Sequence, residues 1–200
     1  MIQFHKKRII LLFGSINYLN LLPFQIFLKK HIQSSQIKQI IFHKKSVPSV
    51  INKQFHQKKI DAAFISSIAS KNKKCTNLGI VAFKNVYSVL LLPNEKIIKD
   101  NESASSNHLA KKLNLTGKVL IGDKALLFYL RNGKQNFKDL SLEWYKKHKL
   151  PFVFARLCYN KHAKKIKKIA LLFFLVLVVC QQKNKCAICA VGFFRYETQR

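Results

Sequence analysis

The stretch Gly14–Phe24, GSINYLNLLPF, constrains the fold of this chain more than any other. It sets a polar turn carrying Asn17, Tyr18 and Asn20 behind the apolar run Ile9–Phe13, and starts an amphipathic segment, Pro23–Ile32, right after it. A strand, a polar turn and a new amphipathic helix, in that order, is how open α/β sheets present ligand-binding groups at the carboxyl ends of their strands. The turn is the first place to look for a small-molecule site.

The same grammar continues downstream. Pro23–Ile32 carries Phe24, Phe27 and Leu28 on one helical face, and Ile37–Phe42 reads as a second short strand. Pro48–Lys59 opens with Ser46 and Pro48 at helix-start positions and spaces Val50, Ile51 and Phe55 helically. Strands follow at Ala62–Ile65, Leu78–Phe83 and Ser88–Leu92, with a break at Pro93 and Asn94. From Glu95 to Leu150 a second rhythm appears: a polar loop, an amphipathic Asn107–Leu113, a strand Val119–Ile121, the turn Gly122–Lys124, a helix Ala125–Leu130 and a helical piece around Trp144 and Tyr145. Pro151–Arg156 reads as a strand leading back. Two βα units joined by two extended crossings predict two α/β lobes with a cleft between them. One lobe takes residues 1–93 and 151–200, the other residues 94–150.

Composition narrows the partners. The net charge is +29, which by itself points to nucleic acid or an anionic membrane surface. The positive charge is nevertheless spread along the chain and is mostly lysine, with arginine only at positions 8, 131, 156, 195 and 200. Base readers and phosphate clamps favour arginine for its bidentate fork, and no recognition motif is present, so a nucleic-acid partner is not expected. Such a field still favours the approach of a dianionic small molecule. The five cysteines are an odd number, and Met1–Lys7 and the run after it lack a cleavable-leader pattern; a reducing cytoplasm is the expected location. The apolar run Ile169–Cys180 falls short of the ~20 residues that a spanning helix needs, so no membrane partner is expected.

The run INYLNLLPF resembles the opening motif of the chorismate dehydratases of the futalosine route to menaquinone. KKIDAAFISSIAS, NVYSVLLLPN, SASSN, LIGDKAL and LPFVFARLCY resemble later stretches of that family in the same order, together spanning roughly residues 13–160. The resemblance implies a two-lobed α/β fold of the periplasmic-binding-protein-like type II kind, with the ligand in the cleft between the lobes. It implies a cofactor-free lyase in which chorismate loses water to become 3-[(1-carboxyvinyl)oxy]benzoate. A sister enzyme that makes dihydroxynaphthoate fits less well, because its cysteine- and aspartate-containing opening is absent where INYLN stands. A non-catalytic small-anion binder or an inactive truncated member is the alternative, since this fold is widely used for binding alone.

Two residues are candidates for the chemistry. The resemblance places Asn20 against the substrate, where its amide can both donate and accept; on turn chemistry alone it equally shapes the loop as an Asx turn. Ser88, at the head of SVLLL, matches a serine that the family uses in its cleft, and no histidine or acid stands in a motif beside it as a hydrolase would require. Asn17, in the same turn as Asn20, and Asp123 are expected to bind the substrate. Ser105, Ser106 and Asn107 read both as helix caps and as a carboxylate cradle at a helix start, and Ser66 and Ser67 have the same dual reading. Asp123, in the GDKA turn, is expected to cap the helix that follows, and Arg156 is either a carboxylate clamp or a solvent-facing charge. Apart from Asp61, which precedes the strand Ala62–Ile65, no other acid lies in these motifs, which suggests that a carboxylate of the substrate itself takes the ring proton while Asn20 and Ser88 position it. No cofactor pattern occurs, and Cys186–Cys189 is a lone C-x-x-C without a second ligand pair, so no metal is expected. A monomer and a homodimer are both open on sequence grounds.

After about Lys168 the resemblance fades. The tail is apolar without helical periodicity and holds three of the five cysteines. Read one nucleotide out of frame, Lys183–Ala190 can encode Lys-Ile-Asn-Val-Pro-Tyr-Val-Leu, similar to the family's segment there, so a divergent or frame-changed tail is expected.

Overall fold

The computed structural model describes residues 11–31, 40–42, 45–133, 136–182 and 193–195. The larger sheet contains β1 (Leu11–Gly14), β2 (Ile40–Phe42), β3 (Ala62–Ser66), β4 (Cys75–Ala82), β8 (Phe152–Tyr159) and β9 (Phe193–Arg195), in the spatial order β2-β1-β3-β8-β4-β9. β1 runs parallel to β2 and β3, whereas β8 lies antiparallel between β3 and β4. The smaller sheet has the order β6-β5-β7, from β5 (Val89–Leu92), β6 (Lys118–Ile121) and β7 (Lys138–Asp139).

The larger sheet is covered by α1 (Leu22–His31), α2 (Pro48–His56) and α6 (Ala163–Gln182). Phe24, Phe27 and Leu28 of α1 are buried, as their helical spacing requires. Phe24 is the centre of this core: its ring lies 5.5 Å from Phe13, 5.1 Å from Phe64 and 4.9 Å from Phe173, the last two edge-on. Gly14 closes β1 because a Cβ there would meet Ile60 Cδ1 at 2.5 Å and Ala63 Cβ at 3.0 Å. The smaller sheet packs on α3 (Ala104–Lys112) and α5 (Leu140–His148), with Leu109, Ala110 and Leu140 fully buried, while α4 (Gly122–Asn132) follows β6 directly.

Three features depart from the sequence reading. Val89–Leu92, placed with the first lobe, pairs with β6 and β7, so the first crossing lies between Ala82 and Val89 and not at Pro93. The apolar run from Ile169 is helical: Ile166, Ile169, Ala170 and Phe173 of α6 are buried at helical spacing, while Leu171, Leu172 and Leu175 face outward. Because both faces carry apolar residues, no periodicity shows in the sequence. Finally, Cys75 and Cys158 stand opposite each other on β4 and β8 and are joined as a disulfide; a reducing compartment would hold them as thiols. Among the described residues no helix is long and apolar enough to cross a membrane. The stretch proposed to be frame-changed, 183–190, lies outside the described residues.

Phe24→Ala is expected to cost about 3–5 kcal/mol of folding stability, the usual cost of emptying an aromatic site in a packed core. Leu130→Ala, at a residue 74% exposed, is expected to stay within about 0.5 kcal/mol. Urea denaturation of both variants checks the contrast.

Candidate functional site

The carboxyl ends of β1 and β3, the crossing at Val86–Ser88 and the starts of α3 and α4 meet around two adjoining cavities of about 80 and 230 Å³. Tyr18, Asn20, Val86, Ser88 and Gly122 line both. The inner cavity is mostly apolar, with Ile80, Val81, Val89, Ile121 and Phe154 in its walls. Its polar lining consists of Tyr18, Asn20 and the serines 66, 88, 103 and 106, with no lysine, arginine or acid among the described residues. Such a cavity suits a small ring bearing oxygen substituents, recognised by hydroxyls, an amide and helix-start N–H groups and not by a cationic clamp.

Asn20 belongs to a single 3₁₀ turn, Leu19–Leu21, which joins β1 to α1. Its Oδ1 is buried without a hydrogen-bond partner. A buried carbonyl oxygen left unpaired costs about 1–3 kcal/mol, so this acceptor is open to a donor from outside the protein. Asn17, directly before Tyr18, is exposed; its backbone N–H donates to Ser46 O at 3.1 Å, and the residue lines neither cavity.

Ser88 is set in place by an unusual piece of backbone. Tyr87 has φ 53°, a left-handed conformation that is an outlier for a bulky residue. Two devices hold it there. The Tyr87 ring stacks on Tyr129 at 4.3 Å, and the carboxylate of Asp139 accepts from the N–H groups of Val86 and Tyr87, both at 2.8 Å. The other oxygen of Asp139 caps α5, accepting from Ser141 N at 3.0 Å and Leu142 N at 3.1 Å. Burial pushes the Asp139 carboxyl above its ordinary range and outweighs the four N–H bonds that draw it down. Sequence reasoning missed this residue; a single Asp ahead of an apolar helix reads as a cap and nothing more.

The α3 start differs in detail from the expected serine cradle. The cap is Ser103, whose Oγ accepts from Ser106 N at 3.2 Å and donates to Ser106 Oγ at 2.8 Å, and both serines face the cleft. Ser105 is buried one position away, its hydroxyl 3.0 Å from that of Ser67. Asn107 is turned from the cleft: its amide accepts from Asp100 N at 2.9 Å and donates to Asp100 O at 2.7 Å, fixing the loop before the helix. Ser66 lines the inner cavity but is held by Asn52 of α2, which donates to its Oγ at 2.8 Å and accepts from its N–H at 3.1 Å.

Asp123 does not cap α4. It lies within the first turn and accepts from Leu19 N at 3.1 Å, tying the second lobe to the turn that carries Asn20. Arg156 is half-buried in β8, paired across to Ile65 and Gly79, and lines neither cavity. Among the described residues no three His, Cys, Asp or Glu side chains are gathered as a metal site needs.

The family model for menaquinone biosynthesis matches residues 11–118. A curated relative from Campylobacter jejuni named chorismate dehydratase is 49% identical over 156 residues, covering 76% of this chain and 70% of its own. The fold resembles a solved protein of Archaeoglobus fulgidus, with TM-score 0.61 and 11% identity, covering 92% of this chain and 80% of that one. It also resembles a histidine kinase sensor domain with similarity to periplasmic binding proteins, with TM-score 0.57 and 10% identity over 94% and 98% of the two chains.

Asp139→Ala removes an acceptor from four backbone N–H groups at once. A stability loss of about 3 kcal/mol or more is expected, well above the loss for Asp139→Asn, which keeps one carbonyl oxygen. Thermal or urea unfolding of the two variants reads the difference.

Proposed function

The chain belongs to the menaquinone-biosynthesis family of the chorismate dehydratases, and from that premise we infer that its interlobe cleft removes water from chorismate to give 3-[(1-carboxyvinyl)oxy]benzoate. The observation that carries the assignment of the site is the unpartnered Oδ1 of Asn20. With both carboxylates ionised, chorismate has one conventional hydrogen-bond donor, the ring hydroxyl that leaves. An unpaired acceptor among the apolar walls and hydroxyls of the cavity is matched to that group.

Forming the aromatic ring supplies the driving force, so the protein has to hold the substrate and direct two proton movements. The proton on the ring carbon that bears the ether goes to a base, and the carbon–oxygen bond to the neighbouring hydroxyl breaks. The departing oxygen then takes that proton from the base and leaves as water. In our reading the base is a carboxylate of the substrate itself, since no protein acid lines the inner cavity among the described residues. Asn20 accepts the hydroxyl's hydrogen and so turns the oxygen's lone pairs toward the incoming proton. Ser88 lines the same cavity from the crossing between the lobes. Ser103 and Ser106, with the N–H groups of the first turn of α3, take a carboxylate, whereas Ser105 is engaged by Ser67 and Asn107 by Asp100. The apolar walls exclude water and strengthen these neutral hydrogen bonds. Asn17, Ser67 and Asp123 act through the loops they hold. We place the reaction in the cytoplasm.

Incubating the purified chain with chorismate, followed by mass and ultraviolet absorbance, tests the reading. Product above the spontaneous background is expected. Binding of chorismate without turnover would instead identify a non-catalytic binder, and neither binding nor turnover would remove the assignment. Asn20→Leu is expected to lower kcat by about 10²–10³-fold, the loss usually seen when one preorganised hydrogen-bonding group is removed from an active site. Ser88→Ala is expected to fall by about 10-fold or more in kcat/KM.

A further inference from the structure

The contacts that bridge the mouth of the cleft converge on Tyr18 and Glu102. Tyr18, from the first lobe, lays its ring against Gly122 at the start of α4, where a Cβ would meet ring carbons at 2.7 Å. Its hydroxyl donates to Glu102 Oε2 at 2.5 Å, across 84 positions of sequence. Glu102 is gripped from the first lobe a second time, since its backbone carbonyl accepts from Ser49 N in the first turn of α2 at 3.1 Å. Behind it, Lys124 of α4 lies 3.1 Å from Glu102 Oε1 and 3.2 Å from Asp100 Oδ2, so the carboxylate that receives the phenol is neutralised by its own lobe. One residue from Tyr18, Leu19 N donates to Asp123 Oδ1.

We propose that Tyr18 and Glu102 form an interlobe clasp that sets the closed spacing of the cleft, each acting as a positioning residue for its neighbour in the site. Tyr18 stands two positions before Asn20, and Glu102 directly precedes Ser103. Joining the phenol to the carboxylate therefore fixes the distance between the amide that meets the ring hydroxyl and the helix start that meets a carboxylate. The rest of the inner wall is apolar and non-directional, and relative motion is the default for two lobes joined by crossings. A charge-assisted hydrogen bond is the kind of contact that selects one spacing. Burial, and then the bond to Glu102, hold the Tyr18 hydroxyl above its ordinary range, so it remains a donor. Burial pulls the Lys124 ammonium down, but its bonds to Glu102 and Asp100 outweigh that and keep it charged. The role in turnover rests on the chorismate reading; the clasp itself does not.

The test compares Tyr18→Phe, Glu102→Ala and the double variant with the parent chain, by amide hydrogen exchange without ligand and by steady-state kinetics with chorismate. Tyr18→Phe keeps the ring on Gly122 and removes only the hydroxyl. Exchange at the Leu19 and Ser49 amides is expected to quicken about tenfold or more in each variant, while the amides of β3 and β5 keep their protection. KM for chorismate is expected to rise about tenfold, because the binding-competent closed form is less populated. The double variant is expected to be no worse than the worse single, since both remove one interaction. Unchanged exchange at Leu19 and Ser49 in both folded single variants, or fully additive effects in the double, would overturn the clasp. If exchange quickens but the parent chain does not turn over chorismate, the clasp stands and the assignment of substrate fails.

Discussion

Both lobes depend on one strand. β8 enters the larger sheet antiparallel between β3 and β4, with Ala62 opposite Tyr159 and Ser66 opposite Ala155, and so fills the centre of a sheet whose other inner strands come from the first part of the chain. Its later residues, Leu157 and Cys158, are fully buried in the larger core, while Phe152 and Phe154 pack against the smaller one. Phe154 touches both cores and lines the inner cavity. Directly after the strand, Asn160 donates to the carbonyls of Phe55 and Ile60 and locks the end of β8 to the loop after α2. Because the backbone of a central strand must be paired on both sides, the second lobe can only be an insertion between β4 and β8, and the cleft must open where the chain leaves and returns.

That geometry explains which parts of the molecule were legible from sequence. Strands and helices with a strong apolar period, such as α1 with Phe24, Phe27 and Leu28, follow from residue spacing alone. The turn after β1 was legible too, because a polar turn between an apolar run and an amphipathic helix has few structural uses. α6 was hidden by its own composition, since outward-facing Leu171, Leu172 and Leu175 erase the contrast that reveals a helix. The cap Ser103 cannot be told from Ser105 and Asn107 in sequence, because a shift of a few residues in a helix start is beyond what sequence patterns resolve. Tyr18–Glu102 and Asp139–Tyr87 join residues far apart in the chain, and nothing local records them.

The charge of the chain and the chemistry of its cleft are separated in space. The net charge is +29, yet among the described residues no lysine or arginine lines the inner cavity, where serines, an amide and a phenol take over. Such a division favours capture of an anion from a distance without fixing it in a strong ion pair that product release would have to break. The strain at Tyr87, over-determined by Asp139 and Tyr129, fits the same plan, since it aims Ser88 at the cavity through a backbone conformation that no free loop would keep.

The most direct test of the account is a crystal structure of the chain with the dehydrated aromatic ether bound. The account predicts density between the lobes, the ring against Phe154 and Ile121, one carboxylate at the start of α3 beside Ser103 and Ser106, and an oxygen-bearing edge toward Asn20 and Ser88. An empty cleft at saturating ligand, or a ligand bound only outside it, such as in a cavity between Thr76–Leu78 of β4 and Lys167–Phe174 of α6, would contradict it.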